Sequence, residues 1–124
     1  MSSVMRSDGS GGNLLRLPAI YHNPVPTLGP EYLGNGHKKS TIAMNGRQVF
    51  RFASTVVHYS IRDVLKRADL TLDDVDLIIP HQANTRIIEN VAKKLKFPKE
   101  KFFTNVDRVG NTSAASIPIA LNDA

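Results

Sequence analysis

Apolar residues from Met44 onward recur at intervals of three and four. Val49, Ala53, Val56/Val57, Ser60/Ile61, Val64/Leu65 and Ala68 form one stripe, which predicts a helix from about Gly46 to Ala68. A connector follows at Leu70–Asp74. Val75–Ile79 is a short, mostly apolar run ended by Pro80; its length and β-branched content predict a strand buried on both faces, as in a parallel sheet. His81-Gln82-Ala83-Asn84 then leads into a second helix, whose stripe is Ile87/Ile88, Val91/Ala92 and Leu95 and whose stop is Pro98. Phe102–Asn105 reads as another strand and Val106–Gly110 as a loop. A third helix of small residues runs through Ala114, Ala115, Ile117, Ala120 and Leu121, capped by Asn111 or Thr112. Pro118 falls inside it, tolerable in the first turns and otherwise a kink.

The order helix, strand, helix, strand, helix predicts an α/β fold with parallel strands and right-handed crossovers. Residues 1–43 differ in character. Ser7–Gly12 reads as a turn, and Asn13–Ile20 holds one short strand stopped by Pro18. Asn23–Ser40 carries Pro24, Pro26, Gly29, Pro30, Gly34 and Gly36, loop composition over a length that is usually functional or mobile. The chain therefore divides into an irregular lead-in, 1–43, and an α/β part, 44–124. Two or three strands make an incomplete sheet, and the helical pattern runs up to Ala124, so the expectation is part of a larger domain.

Composition narrows the classes. The chain has 124 residues, 41% hydrophobic and 22% charged, which excludes a disordered or low-complexity protein. No apolar run approaches the roughly 18 residues of a membrane span, and Met1–Gly12 has no signal pattern. There is no cysteine, so disulfides, thiolate metal sites and a cysteine nucleophile are excluded within these residues. That suits a cytosol-like compartment. The net charge of +5 is local: Arg86, Lys93, Lys94, Lys96, Lys99 and Lys101 face only Glu89 and Glu100 over the same stretch. Such a patch suits nucleic acid, an anionic membrane or an acidic protein, or is simply a solvated helix face. No His or carboxylate spacing suggests a metal; Asp73, Asp74 and Asp76 lack the Gly and Glu of a calcium loop.

In open α/β sheets, ligands bind beyond the carboxyl ends of strands. His81 follows the first strand by one residue, and Asn111 lies beyond the second. Each precedes a helix, whose positive dipole end disfavours an imidazolium. Two neutral donors, an imidazole N–H and an amide N–H, suit a developing oxyanion or enolate. The plainer readings are a satisfied structural histidine and a turn or cap asparagine. His22, His37 and His58 have no comparable setting, and His58 is expected to be exposed in mid-helix.

Pro80-His81-Gln82-Ala83-Asn84-Thr85-Arg86-Ile87-Ile88 resembles the PHQANxRII motif of the β-ketoacyl-acyl-carrier-protein synthase III family. Gly110-Asn111-Thr112-Ser113-Ala114-Ala115-Ser116-Ile117-Pro118 resembles its GNTSAAS(I/V)P motif. Met44–Phe50 resembles its MNGxEVF segment, with Gln48 in place of Glu, and Ser7–Pro18 resembles its DGSGG-NLL-LPA stretch. The resemblance implies a thiolase-like fold, here a partial C-terminal half truncated at both ends. It implies condensation of an acyl-CoA starter, commonly acetyl-CoA, with malonyl-acyl carrier protein and loss of carbon dioxide, the start of type II fatty-acid synthesis.

In that family a cysteine of the first half takes the acyl group as a thioester. The resemblance makes His81 and Asn111 the donors to the malonyl thioester as it becomes an enolate. It places Gly46, Phe50, Ala83 and Asn84 along the CoA and pantetheine channel, and makes Arg86 the docking arginine for the acidic carrier protein. Arg86 and Lys93 are seven residues apart, about 700°, and so share a helix face, with Lys94 and Lys96 about 80° to either side. The basic patch, with Arg86, Lys93 and Lys94 at its centre, then reads as a carrier-protein docking surface. No cofactor or metal is implied beyond the two thioester substrates, and neither nucleic acid nor a membrane is a partner. The full enzyme is expected to be a homodimer in the cytoplasm or a plastid-type compartment. The cysteine-bearing half is absent from this sequence, so the 124 residues alone are expected to be an inactive fragment. The alternatives are a non-catalytic module that binds acyl carrier protein, or one subunit of a split condensing enzyme.

Overall fold

The computed structural model describes residues 1–16 and 42–124. The proline- and glycine-rich stretch from 23 to 40, and with it His22 and His37, lies outside the described residues. The chain forms two compact units, one of residues 6–49 and one of residues 1–5 with 50–124.

In the smaller unit, Gly9–Leu14 is a 3₁₀ turn entered through Asp8, whose carboxylate accepts from the Ser10 N–H at 2.9 Å. It leads into a two-residue strand, β1 (Leu15–Arg16), antiparallel to β2 (Ala43–Met44). The Asn45 N–H donates to Leu14 O at 2.8 Å. Asn45 then caps helix α1 (Gly46–Ala68), its Oδ1 accepting from the Gln48 N–H at 3.2 Å. The helix has the bounds that the 3.6-residue period predicts. It ends in a Schellman motif: Asp69 takes a left-handed φ of 56°, the Leu70 N–H reaches Leu65 O and the Asp69 N–H reaches Lys66 O.

The larger unit has a core of Ile88, Val91, Ala92, Leu95, Phe97 and Phe102. Helix α2 (Thr85–Leu95) supplies four of these, all from the stripe visible in the sequence. Val57 and Ile61 of α1 pack against it, as do Leu72, Val75 and Ile78. Asn84 caps α2 by accepting from the Arg86 N–H at 2.9 Å. The helix closes with Lys96 in the left-handed region, φ 54° and ψ 39°. The Phe97 N–H bonds back to Ala92 O, and the Phe97 side chain is buried against the edge of Phe102.

The two predicted strands shrink to one parallel rung, Ile78 against Phe102. Two bonds make it: the Ile78 N–H to Lys101 O at 2.8 Å, and the Phe103 N–H to Ile78 O at 2.9 Å. Burial of the 75–79 run on both faces is not observed. Leu77 is 43% exposed while Ile78 and Ile79 are half-buried. Among the described residues no further strand flanks either segment. The parallel direction and the helical crossover are as the element order predicts.

Beyond the rung, 106–110 is not a plain loop. Val106–Val109 forms a short helix, α3, ended by Gly110. Gly110 has φ 71° and ψ −168°, a combination essentially closed to residues with a Cβ. A 3₁₀ turn at Ser113–Ala115 then leads into helix α4 (Ser116–Asp123). Pro118 falls in the first turn of α4, where its missing N–H costs no helical bond. Neither Asn111 nor Thr112 caps α4 directly, because the 3₁₀ turn intervenes. Among the described residues no helix is long and apolar enough to cross a membrane.

Candidate functional site

Strands that run in parallel release their chains at the same end. Ile78 continues through Ile79 and Pro80 to His81, and its neighbour Phe102 continues through Phe103 and Thr104 to Asn105. One side chain joins these two exits. Gln82 is fully buried, and its Nε2 donates to Pro80 O at 2.9 Å and to Phe103 O at 3.1 Å. Its Oε1 accepts from the Asn105 N–H at 3.0 Å. The carboxamide thus satisfies three backbone groups that the single rung leaves without ladder partners.

Asn105 carries the tie onward. It is also fully buried, and its Nδ2 donates to Asp123 Oδ2 at 2.9 Å. The same oxygen is paired with Arg108 Nη2 at 2.6 Å. The Asn105 hydrogen bond, with help from the Arg108 charge, holds the Asp123 carboxyl below the usual carboxylate range. The start of α3 and the end of α4 are thereby fastened together, with the segment that carries Asn111 between them.

His81 is exposed on the first exit loop. Its carbonyl accepts from the Ala83 N–H at 3.0 Å, which folds the loop toward the cap of α2. Among the described residues its ring makes no hydrogen bond. Asn111 is exposed on the loop between Gly110 and the 3₁₀ turn. Its Oδ1 accepts from the Ser113 N–H at 3.2 Å, and Ser113 takes a left-handed φ of 52°. With its oxygen occupied by the Ser113 N–H, the amide keeps its NH₂ available, and among the described residues that NH₂ has no partner. No hydrogen bond joins His81 to Asn111. Each stands a few residues before its helix rather than in the first turn, so the helix dipole acts on them only weakly. Donor chemistry here rests on the open imidazole and amide groups.

Ala83, half-buried, and Asn84, exposed, run on from His81, and Arg86 opens the exposed side of α2. Gly46 is exposed at the start of α1, and Phe50 is half-buried four residues on. Lys93 and Lys94 are exposed in the last turn of α2; Lys94 Nζ lies 3.5 Å from Ser54 O on α1. Two members of the basic stretch sit differently from the helical projection. Lys96 has left the helix in a left-handed turn. Lys101 is half-buried, with Nζ donating to Val75 O at 2.6 Å and standing 5.3 Å from the centre of the Phe97 ring. His58 is not exposed in mid-helix: it is half-buried, its Nδ1 is shut off from solvent without a partner among the described residues, and its ring meets Tyr59 edge-on. Burial, then Arg62 and Lys94, lower its pKa from 6.5. Among the described residues no three His, Cys, Asp or Glu side chains converge on a metal position.

Gln82, Asn105 and Asp123 are the site-building residues that sequence reasoning did not single out. The available signals for Gln82 were its place in the motif that carries His81 and its position just past the run that ends in Pro80.

Residues 65–124 match the family described as 3-oxoacyl-[acyl-carrier-protein] synthase III C terminal. Over 124 residues the chain is 48% identical to the beta-ketoacyl-[acyl-carrier-protein] synthase III of Clostridium novyi (strain NT), with 99% of this chain and 36% of that protein covered. The crystal structure of the beta-ketoacyl-[acyl carrier protein] synthase III from Thermus thermophilus superposes with a TM-score of 0.79 at 41% identity, covering 99% of this chain and 36% of that one. The priming β-ketosynthase from the R1128 polyketide biosynthetic pathway gives 0.69 at 31% identity, over 94% of this chain and 33% of that one. The chain therefore spans about a third of the length of the relatives it matches.

Proposed function

Because this chain belongs to the β-ketoacyl-[acyl-carrier-protein] synthase III family, as part of its C-terminal region, we propose that it supplies the carbanion-forming side of a condensing site. Its fold is the corresponding part of the α/β, thiolase-like architecture of those relatives. The observation that carries the reading is the pair of exposed groups, His81 and Asn111, on the loops beyond the rung, with the Asn111 oxygen held by the Ser113 N–H and its NH₂ without a partner among the described residues.

When a malonyl thioester loses carbon dioxide, the electron pair of the broken C–C bond passes into an enolate. The negative charge gathers on the thioester oxygen, where an imidazole N–H and an amide N–H stabilise it. The nucleophilic carbon then attacks an acyl thioester on a cysteine and expels the thiolate. These 124 residues contain no cysteine. The nucleophile belongs to a cysteine-bearing portion that completes the enzyme, and the 124 residues alone carry out no condensation.

In this reading Gly46, Phe50, Ala83 and Asn84 line the CoA and pantetheine path. Arg86, with Lys93 and Lys94, receives an acyl carrier protein. The assembled enzyme is a cytoplasmic homodimer that starts fatty-acid synthesis from a short acyl-CoA. The test is made in the assembled enzyme, these residues together with the cysteine-bearing portion. His81→Ala and Asn111→Ala are each expected to slow condensation on the order of 10²–10³-fold, with acyl transfer to the cysteine kept. Equal losses in both half-reactions would make the two residues structural and overturn the reading.

A further inference from the structure

We infer that Gln82 is the positioning residue of this site: it fixes the His81 loop against the chain that leads to Asn111, and so sets where the two donors stand. The inference rests on the proposed roles of His81 and Asn111. Gln82 touches neither substrate nor donor. It is sealed from solvent, and each of its three hydrogen bonds ends on backbone. Two of those bonds cross between the exit loops, to Phe103 O and the Asn105 N–H, and the third holds Pro80, the residue before His81. The rung beneath supplies only two backbone bonds between these segments, at Ile78. Most of the connection at the level of the donors therefore passes through one carboxamide.

Asn105 extends the tie. Its amide N–H is held by Gln82 while its side chain holds Asp123, so the register of the first loop is coupled to α4. Donors that stabilise an enolate must stand within hydrogen-bond reach of where the oxyanion forms, and a displacement of about 1 Å in such a group can cost 10²-fold in rate. Relaxing the tie should move the donors without emptying the binding path, because Asn84 and Arg86 are anchored separately through the cap of α2.

Two variants in the assembled enzyme test this. Gln82→Met keeps the bulk and removes all three hydrogen bonds. It is expected to lower kcat for condensation on the order of 10²-fold, with the KM for malonyl carrier protein and the rate of acyl transfer to the cysteine kept. Gln82→Glu retains the acceptor for Asn105 but turns a carboxylate toward two carbonyl oxygens. Burial and those acceptors favour its protonated form, which again donates to one carbonyl. Condensation by Gln82→Glu should therefore be impaired near pH 8 and recover toward pH 6, relative to the unsubstituted enzyme. That profile alone decides the matter should Gln82→Met not fold. Unchanged kcat in both variants would overturn the inference, and so would parallel loss of both half-reactions with no recovery of Gln82→Glu in acid. If His81→Ala impairs condensation and the Gln82 variants do not, only the positioning role fails. If His81→Ala itself spares condensation, the reading of the site fails and the positioning role with it.

Discussion

Arg86 and Lys93 lie on one side of α2, seven residues apart and both exposed, whereas Lys94 leans toward Ser54 O, Lys96 has left the helix and Lys101 points inward to Val75 O. The charge free to meet an acidic partner is therefore narrower than the run of basic residues suggests. Exposed charges at the rim of an interface act mainly on encounter rate and salt dependence. Arg86→Glu in the assembled enzyme is expected to raise the apparent KM for malonyl carrier protein several-fold, about 1 kcal/mol or more. The salt dependence should flatten, while kcat and the KM for acyl-CoA hold. Carrier-protein binding unchanged at low salt would assign Arg86 to a merely solvated face. His81, Asn111 and Arg86 could be singled out as candidates because each sits in a local motif. Gln82 lies in the same motif as His81, but its burial and its ties were not visible there, because the partners across the rung are 21 and 23 residues away.

Helices α1 and α2 were legible to within a residue or two because a period of 3.6 is a property of one segment by itself. The strands expected at 75–79 and 102–105 were not, since pairing is a property of two segments, and of these two only Ile78 and Phe102 find each other. The lysine at 96 illustrates a local conflict that periodicity cannot show. It must take φ 54° to let the Phe97 N–H reach Ala92 O, a conformation that costs a residue with a Cβ about 1–2 kcal/mol. Lys96→Gly removes that strain at some cost in unfolded-chain entropy. It is expected to stabilise the protein by roughly 1 kcal/mol, read as an upward shift in Tm. A fall in Tm would mean that the Lys96 side chain contributes contacts that outweigh its backbone strain.

Across the whole molecule, stability should fall in acid in two stages. His58 has a lowered pKa in the folded chain, chiefly from burial, so the unfolded chain takes up a proton first as the pH drops below about 6.5. Its contribution is complete above that value and is lost as the pH falls toward the folded pKa. Asp123, held down by Asn105 and Arg108, and Asp74, held down by the Thr71 N–H and hydroxyl, behave the same way lower on the scale. Their contribution is intact above the ordinary aspartate value and is lost as the pH falls below it. Thermal unfolding followed from pH 8 to pH 3 should show both declines, and His58→Leu should abolish the upper one; a Tm that is flat between pH 7 and pH 5 would contradict the His58 assignment. The single rung between Ile78 and Phe102 also bears on how the chain finds its shape. Its ends are 24 residues apart, and 11 of the residues between them are wound into α2. The entropy of closing a loop grows only slowly with its length, and a helix already formed shortens the search further. Ile88, Val91, Ala92 and Leu95 meet Phe97 and Phe102 within that same loop, so this crossover can collapse early on contacts of short sequence separation. Gln82 can find Phe103 and Asn105 only once the loop has closed, so the His81 loop is fixed after the crossover has formed.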